Sequence, residues 1–367
     1  MRVAVTFCNQ RSTPRLSVCA LDLETEEMQW LRVLGDIESG AAGITAVDGS
    51  LLVACQDGGI VCYGDDLEPQ ALLPTRGSFD LHSMLYRADE RAVYVTSTFN
   101  DTLYRYTLDE TGRRVVGAEA AFCADPSRRG LDLYHLNSVA EWEDDLYVSM
   151  FGTTDGDSHL GRRNGRVVRV RDGVTILDGL YHPHTLFVHG DDLFVVESQA
   201  KTVRRVGGGD PITLTLPDGY PRGVAVDTGS TVWIGLSALR RESKSRATAN
   251  VITDDSPLDH RTRLVQLDLT TGAIGRTIDL TPLAREIYDV FPLPDGSAFV
   301  PDLDRGLVQR VEALEESFRA VNASRRVLEL QLQKTPMGRM RRFLQRARRR
   351  VEGAASAPRN TPTTGGA

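Results

Sequence analysis

Short runs of alternating apolar and polar residues, separated by turns rich in Gly and Asp, follow one another along most of the 367-residue chain. Such alternation is typical of β-strands with one buried face, and Asp-Gly or Asp-Asp pairs are typical of tight turns between paired strands. One phrase, in which a turn and a strand are followed by a second turn and a second strand, occurs six times. Its copies begin at Gly43, Leu81, Leu136, Pro183, Pro221 and Ile287.

A third strand follows most copies, so each repeat reads as a short antiparallel meander. Repeated meanders predict an all-β fold, a β-propeller of four-stranded blades, over residues 1–307. Six blades fit best, with the ring closed by N-terminal strands that join the strand beginning at Ile287. Residues 297–311 also read as two further strands, which leaves a seventh blade open.

Two columns of residues near the start of each repeat carry most of the candidate chemistry. The first strands of a propeller line its central channel in the same direction, so equivalent residues converge at one mouth. Four of the seven His residues fall in these columns. One column contains Ile44, His82, Asn137, His184, Arg222 and Tyr288. The column two residues earlier contains Ala42, Asp80, His135, His182, Tyr220 and Glu286.

The second strand of each blade runs antiparallel to the first and therefore ends at the same mouth. This places Glu197 beside the two columns, and Asp289, which follows Tyr288, is predicted to face either the channel or the blade. Two long insertions at this end, 152–165 and 238–262, are interpreted as lids, and the second contains Arg241. Cys55 also ends a second strand, where packing within the blade is the favoured interpretation.

Charge and composition narrow the class of partners. The net charge is −7, and residues from 334 onward contribute +8, which leaves −15 on the rest of the chain. An acidic body argues against a nucleic-acid enzyme. No apolar run is long enough to span a membrane, and five Cys residues without a CxxC pair favour a reduced, cytoplasmic protein.

The C-terminal part changes from a period of two to helical spacing at residue 308. Residues 308–352 are predicted to form two helices separated at Pro336, and 353–367 to be disordered. The second helix has a basic face, which predicts contact with the acidic propeller itself, a homodimer partner, another acidic partner or an anionic membrane surface.

Several phrases resemble a functionally uncharacterised family of bacterial propeller proteins: YHLNSVA (134–140), HPHTL (182–186), YPRGVAV (220–226), IGLSALRRE (234–242) and EIYDV (286–290). The family carries HLN, PH, RG, GLS-then-RE and EIYD phrases in this order. Ser138 and Thr185-Leu186 depart from its usual HLNG and PHSP. The resemblance implies the propeller and the site but no reaction. More distant similarity, in architecture alone, to six-bladed lactonases and strictosidine-synthase-like proteins implies small-molecule chemistry.

One mechanism that fits the columns is acid–base chemistry on an acidic small molecule. His82, His135 or His184, with Tyr288 and Glu286, would move protons in an elimination, isomerisation or cyclisation. The substrate-binding candidates are Arg222, Asn137, His182, Glu197, Asp289 and Arg241. Internal pairing of Arg222 with Glu286 or Asp289 is the structural alternative.

A second mechanism uses one divalent metal ion that activates water for hydrolysis, as in a lactonase. Its candidate ligands are His82, His135, His182, His184 and Glu286. Local spacing fixes no third ligand, so the cofactor is left open. A non-enzymatic propeller that binds a ligand or a protein over the same face is the alternative class.

Overall fold

A computed structural model describes residues 1–10, 16–35, 39–75, 77–153, 163–238 and 261–302. Within these residues, 24 strands form six four-stranded antiparallel sheets, and the helical content is one 3-10 turn at Pro126–Arg128. One edge strand of each sheet contacts the corresponding strand of the next sheet, in a closed circle. The six-bladed propeller is thereby confirmed, and the described residues form no seventh sheet.

The blades are numbered along the chain, and each is given from its first, axial strand outward. Blade 1 contains β4 (Ala41–Val47), β5 (Ser50–Cys55), β6 (Ile60–Tyr63) and β7 (Pro69–Leu73). Blade 2 contains β8 (Leu81–Arg87), β9 (Ala92–Ser97), β10 (Thr102–Leu108) and β11 (Val115–Cys123). Blade 3 contains β12 (Leu136–Trp142), β13 (Asp145–Met150), β14 (Gly165–Arg169) and β15 (Thr175–Leu180). Blade 4 contains β16 (Pro183–His189), β17 (Asp192–Glu197), β18 (Thr202–Gly207) and β19 (Thr213–Thr215). Blade 5 contains β20 (Tyr220–Val226), β21 (Thr231–Ser237), β22 (Arg263–Asp268) and β23 (Ile274–Asp279). Blade 6 contains β24 (Ile287–Pro292), β1 (Arg2–Phe7), β2 (Val18–Asp22) and β3 (Met28–Trp30).

Blade 6 closes the ring by joining the two ends of the propeller. β24 supplies its first strand and pairs antiparallel with β1, with Val5 opposite Val290. A side-chain hydrogen bond adds to this pairing, since the Asp289 amide donates to Thr6 Oγ1 at 3.0 Å. The expected closure by N-terminal strands is confirmed.

The core consists of six apolar clusters, one between each pair of neighbouring blades. Successive residues of a strand point to opposite faces of its sheet, so one strand can contribute to two clusters. In β5, Leu51 and Val53 face blade 6, whereas Leu52 and Ala54 face blade 2. Both faces of a blade are buried, which explains why the second strands read as nearly continuous apolar runs.

Every first strand contains a register irregularity near its start, at the mouth of the channel. At the irregularity a backbone amide lies outside the regular strand pairing. In several blades a side chain of the preceding first strand accepts a hydrogen bond from this amide. Ser138 Oγ accepts from the Leu186 amide and Thr185 Oγ1 from the Gly223 amide, each at 3.0 Å. These bonds tie neighbouring blades together around the mouth.

The irregularity in blade 1 corrects one position of the predicted column. Ala41 pairs with Cys55 as Leu81 pairs with Ser97, so Ala42 is the residue equivalent to His82. Ala42 packs against Tyr288, whereas Ile44 lies in the cluster between blades 6 and 1. The prediction that placed Ile44 in this column was wrong because alternation alone does not reveal the skipped residues.

Some predicted features lie outside the described residues. These are Arg241, most of the two predicted lids, the two C-terminal helices of 308–352 and the tail of 353–367. Among the described residues, no helix is long and apolar enough to cross a membrane.

Candidate functional site

Eight of the predicted side chains converge where the six first strands begin, and all eight are buried. This group is called the mouth cluster. Its members are His82, His135, Asn137, His182, His184, Arg222, Glu286 and Tyr288.

The centre of the mouth cluster is a triangle of rings from alternate blades. The ring centroids of His82 and Tyr288 are 5.0 Å apart, those of His184 and Tyr288 5.3 Å, and those of His82 and His184 6.2 Å. Blades 2, 4 and 6 are not neighbours, so these rings meet only because each points to the axis. The two-column prediction is therefore correct in its main consequence, which is convergence.

Phe151 joins the next layer of the mouth cluster. Its ring stacks on His182, with centroids 4.3 Å apart and an interplanar angle of 8°. It also lies 4.6 Å from the ring of His135. Phe151 directly follows β13, as expected for a second strand that returns to the mouth. The contact holds two imidazoles of neighbouring blades in fixed orientations.

His135 forms a dyad with Asp132. Its Nδ1 lies 2.9 Å from Asp132 Oδ1, so the carboxylate orients the imidazole and makes Nε2 the basic nitrogen. Burial, with the nearby His82 and Arg222, lowers the pKa of His135 to about 3. His135 is therefore neutral at physiological pH.

The loop that carries the dyad is held by a second carboxylate. Asp101 Oδ2 accepts from the Leu133 amide at 2.7 Å and from the Tyr134 amide at 3.2 Å. Burial raises the pKa of Asp101 to about 6 although these amides lower it. Asp101 therefore positions the turn that carries Asp132 and His135.

Three residues of the earlier column have a left-handed backbone. The φ angles are 52° at Asp80, 50° at His135 and 54° at His182. Non-glycine residues rarely adopt this region, and Asp and His tolerate it better than most. Because the three residues occupy equivalent positions, the chain enters the first strands of blades 2, 3 and 4 with the same backbone conformation.

Arg222 is the cation of the mouth cluster. Its Nη1 lies 3.4 Å from Glu286 Oε2 and 3.1 Å from Cys8 Sγ, and its guanidinium carbon lies 4.8 Å from the centroid of Tyr220. Burial lowers the pKa of Arg222, but Cys8 and Glu286 outweigh burial and the pKa lies above its ordinary value. Of the two predicted internal partners, the one observed is Glu286.

Other pKa directions complete the electrostatics of the site. Burial, followed by the charge of Arg222, lowers the pKa of His184 well below its ordinary value. Burial raises the pKa of Tyr288 well above its ordinary value. At neutral pH the mouth cluster therefore holds neutral His135 and His184 rings, the protonated phenol of Tyr288 and the guanidinium of Arg222.

Three buried polar atoms of the mouth cluster have no hydrogen-bond partner within the part of the chain that the structure describes. They are Tyr288 Oη, Asn137 Oδ1 and Arg222 Nε. An unpaired buried polar group costs roughly 1–3 kcal/mol. The three atoms are a neutral donor, an acceptor and a cationic donor, a set that complements a small polar molecule with an acidic group.

Two predicted substrate-binding residues are engaged by the scaffold. Glu197 accepts from the Tyr181 amide at 2.8 Å and from Thr202 Oγ1 at 3.1 Å. Asp289 Oδ2 accepts from the Ile44 amide at 3.0 Å, which caps the irregularity of blade 1, and burial raises the pKa of Asp289 to about 7. Of the two directions left open for Asp289, the carboxylate takes the one toward the neighbouring blade.

The candidate metal ligands of the second mechanism all belong to the mouth cluster. The candidate ligands His82 and His135 meet edge to face, with centroids 5.6 Å apart. No group of three or more His, Cys, Asp and Glu side chains is arranged around a common metal position in the described ranges.

Sequence reasoning missed three contributors to the site. Asp132 lies in a loop three residues before His135, and Cys8 and Asn9 follow β1 in the closing blade. Asp132 belongs to neither column. Cys8 and Asn9 belong to a second strand that is distant in sequence from its own first strand. The equivalence of β1 to the other second strands was the available signal.

A family model described as a domain of unknown function (DUF4915) matches residues 69–299, more than half of the chain. The chain belongs to the DUF4915 family. The matched span contains the whole mouth cluster, whereas Cys8 and Asn9 precede it. No curated protein sequence matches the chain.

Several solved structures are similar in fold to this DUF4915 protein. A Bacteroides caccae protein of unknown function has a TM-score of 0.56 at 10% identity, and a nidogen/laminin complex has 0.55 at 13%; both alignments cover 79% of this chain and 98% of the other. A streptogramin B lyase has a TM-score of 0.44 at 16% identity, covering 69% of this chain and 73% of the lyase. At these identities the likeness shows the fold alone.

Proposed function

We propose that this protein is an enzyme that moves a proton on a small acidic molecule at the mouth cluster. The observation that carries the proposal is the coincidence of the three unpartnered polar atoms with the Asp132–His135 dyad. Buried polar groups without partners destabilise a scaffold, and a bound ligand would supply the missing hydrogen bonds.

The protonation state of each side chain supports a particular role in the reaction. Neutral His135, oriented by Asp132, abstracts a proton through Nε2. Tyr288 remains protonated and donates a hydrogen bond to the oxygen on which negative charge develops. Arg222 Nε binds the acidic group of the substrate, and Asn137 Oδ1 accepts from a hydroxyl. Elimination and isomerisation of a hydroxy or oxo acid both use this set.

Proton exchange with solvent tests the proposal without knowledge of the natural substrate. The protein is incubated in D2O with a panel of small hydroxy, oxo and unsaturated acids, and deuterium incorporation and conversion are followed by mass spectrometry. We expect at least one acid to gain deuterium or be converted. His135→Gln should lower that rate roughly a hundredfold.

His189→Gln is the matched control, because His189 lies at the far end of β16 and bonds to the Gly229 carbonyl. It should retain the wild-type rate. Saturable binding of an acid without exchange or conversion would identify a ligand-binding propeller instead. Equal rates for wild type and His135→Gln would remove His135 from the mechanism.

A further inference from the structure

Cys8 lies against the mouth cluster in an environment unlike that of an ordinary buried thiol. It follows β1 and is 3% exposed. Its Sγ accepts from Arg222 Nη1 at 3.1 Å and from Asn9 Nδ2 at 3.6 Å, and lies 3.8 Å from Glu286 Oε2. A guanidinium, an amide donor and a carboxylate therefore all contact this sulfur or its proton.

The arrangement has the parts of an activated nucleophile. Glu286 is within reach of the thiol proton and can act as its base, and Arg222 stabilises the thiolate that results. Asn9 Nδ2 donates to Glu286 Oε2 at 3.1 Å and so orients the base. We propose that Cys8 is a nucleophilic catalytic residue, with Glu286 as its base and Arg222 as the counter-ion of its thiolate.

Cys55, which ends the second strand of the neighbouring blade, shows the contrast. It packs in the apolar cluster between blades 6 and 1. Burial and then the nearby Asp57 raise the pKa of Cys55 to about 12. Two buried thiols on equivalent strands thus have opposite surroundings, and only the surroundings of Cys8 favour a thiolate.

Tyr288 indicates the electrophile. It packs against Cys8, and its buried hydroxyl has no partner among the described residues. A donor beside a nucleophile suits attack on a carbonyl group, because negative charge develops on the carbonyl oxygen. Together with Arg222, this favours a small oxo acid, a carboxylate that also carries an aldehyde or ketone. This choice of substrate rests on the proposed function.

The covalent step is an addition without a leaving group. The Cys8 sulfur forms a bond to the carbonyl carbon, and the π electron pair of the carbonyl moves to its oxygen. Glu286 takes the thiol proton and returns it to the sulfur on collapse, and the carbonyl oxygen receives a proton from Tyr288 and gives it back to the same residue. The product is a thiohemiacetal, and its collapse reverses each transfer. No oxidant or reductant is required.

Carbon-13 NMR with labelled glyoxylate, a small anionic aldehyde, tests the addition. We expect a thiohemiacetal resonance with the wild type and with Cys55→Ser, and none with Cys8→Ser. Glu286→Gln should slow its appearance. Persistence of the resonance in Cys8→Ser, or its absence from wild type, would overturn the assignment. Thermal melting verifies that each variant is folded.

Alkylation of the wild type provides a reading that needs no variant. Iodoacetate should label Cys8 faster than the half-buried Cys123 at pH 7, because the thiolate is the form that reacts. Peptide mapping by mass spectrometry identifies the labelled residue. Slower labelling of Cys8 than of Cys123 would argue against an activated thiol.

The two proposals fail separately. If no acid exchanges deuterium but the glyoxylate adduct forms, proton transfer through His135 is rejected and the assignment of Cys8 as a nucleophile stands. If Cys8→Ser still exchanges deuterium and the wild type forms no glyoxylate adduct, Cys8 is rejected as a nucleophile and the proposed proton transfer stands.

Discussion

At the scale of single residues, Asp132 is the group on which His135 depends for its orientation. Its carboxylate accepts from Nδ1 and stabilises the imidazolium that forms when Nε2 takes a proton. Asp132→Asn removes that charge, so we expect the exchange rate in D2O to fall on the order of a hundredfold with little change in KM. Asp89→Asn, a change at an exposed carboxylate paired with Arg87, should have no effect. Equal losses in both variants would contradict a specific role for Asp132.

The pKa directions at the mouth predict two opposite contributions to stability. The pKa of His135 falls from 6.5 to about 3 on folding, so the unfolded chain binds the extra proton and stability falls as pH drops through this window. The pKa of Asp289 rises from 3.8 to about 7, so the folded chain binds the extra proton and stability falls as pH rises through this window. Each contribution has a slope of about 1.4 kcal/mol per pH unit.

Chemical denaturation between pH 4 and 6.5 separates the two contributions. Relative to wild type, Asp289→Asn should make the free energy of unfolding rise more steeply with pH. His135→Gln should change the slope in the opposite direction. A slope that moves the same way in both variants would show that at least one of the two groups titrates normally in the folded protein.

The residues that sequence reasoning located share one property, which is that they lie in phase on, or just before, the first strands of the blades. His82, Asn137 and His184 occupy equivalent positions, and an equivalent position on a repeated strand implies proximity at the axis. Asp132 lies in a loop and Cys8 at the end of a strand from the far end of the chain. Their proximity depends on tertiary contacts that no local period encodes.

At the scale of elements, the side chains that cap the irregularities hold the first strands to one another. Thr185 Oγ1 accepts from the Gly223 amide, where φ is 66° and a Cβ atom would lie 2.6 Å from the Asp289 Cα. This explains why Gly must follow Arg222 in the YPRGVAV phrase. The close approach of β20 to β24 holds Arg222 near Glu286.

Thr185→Val tests this cap, because the two side chains have similar volume and differ in the hydroxyl. We expect a loss of roughly 1–3 kcal/mol in the free energy of unfolding, since the Gly223 amide would be left without its partner. Thr213→Val, at an exposed position of β19, is the control and should change stability by less than about 0.5 kcal/mol. Urea denaturation measures both, and a loss of similar size at Thr213 would contradict the role of the cap.

The irregularities are the feature of the strands that could not be predicted from the sequence. Strand type, order and partners followed from alternation and turns, because these depend on local chemistry. The position of Ala42 did not, because an extra residue in a strand changes which side chains face the axis without altering the alternation before or after it.

At the scale of the whole molecule, closure of the ring joins residues that are far apart in sequence. The hydrogen bond from Asp289 to Thr6 spans 283 positions, whereas Met84 and Val95 pair within one hairpin of blade 2. Contacts of long sequence separation form late, because the entropy of closing the intervening chain must be overcome first. We therefore expect blade 6 to assemble after the blades whose strands are consecutive.

A matched pair of substitutions tests this order. Val5 in β1 and Val95 in β9 are both fully buried, so Val→Ala at either site should lower the free energy of unfolding by roughly 1.5–3 kcal/mol. Val5→Ala should act almost entirely by accelerating unfolding, because the β1–β24 contact is absent from the transition state for folding. Val95→Ala should also slow folding. Stopped-flow kinetics in urea would contradict late closure if Val5→Ala slowed folding as much as Val95→Ala.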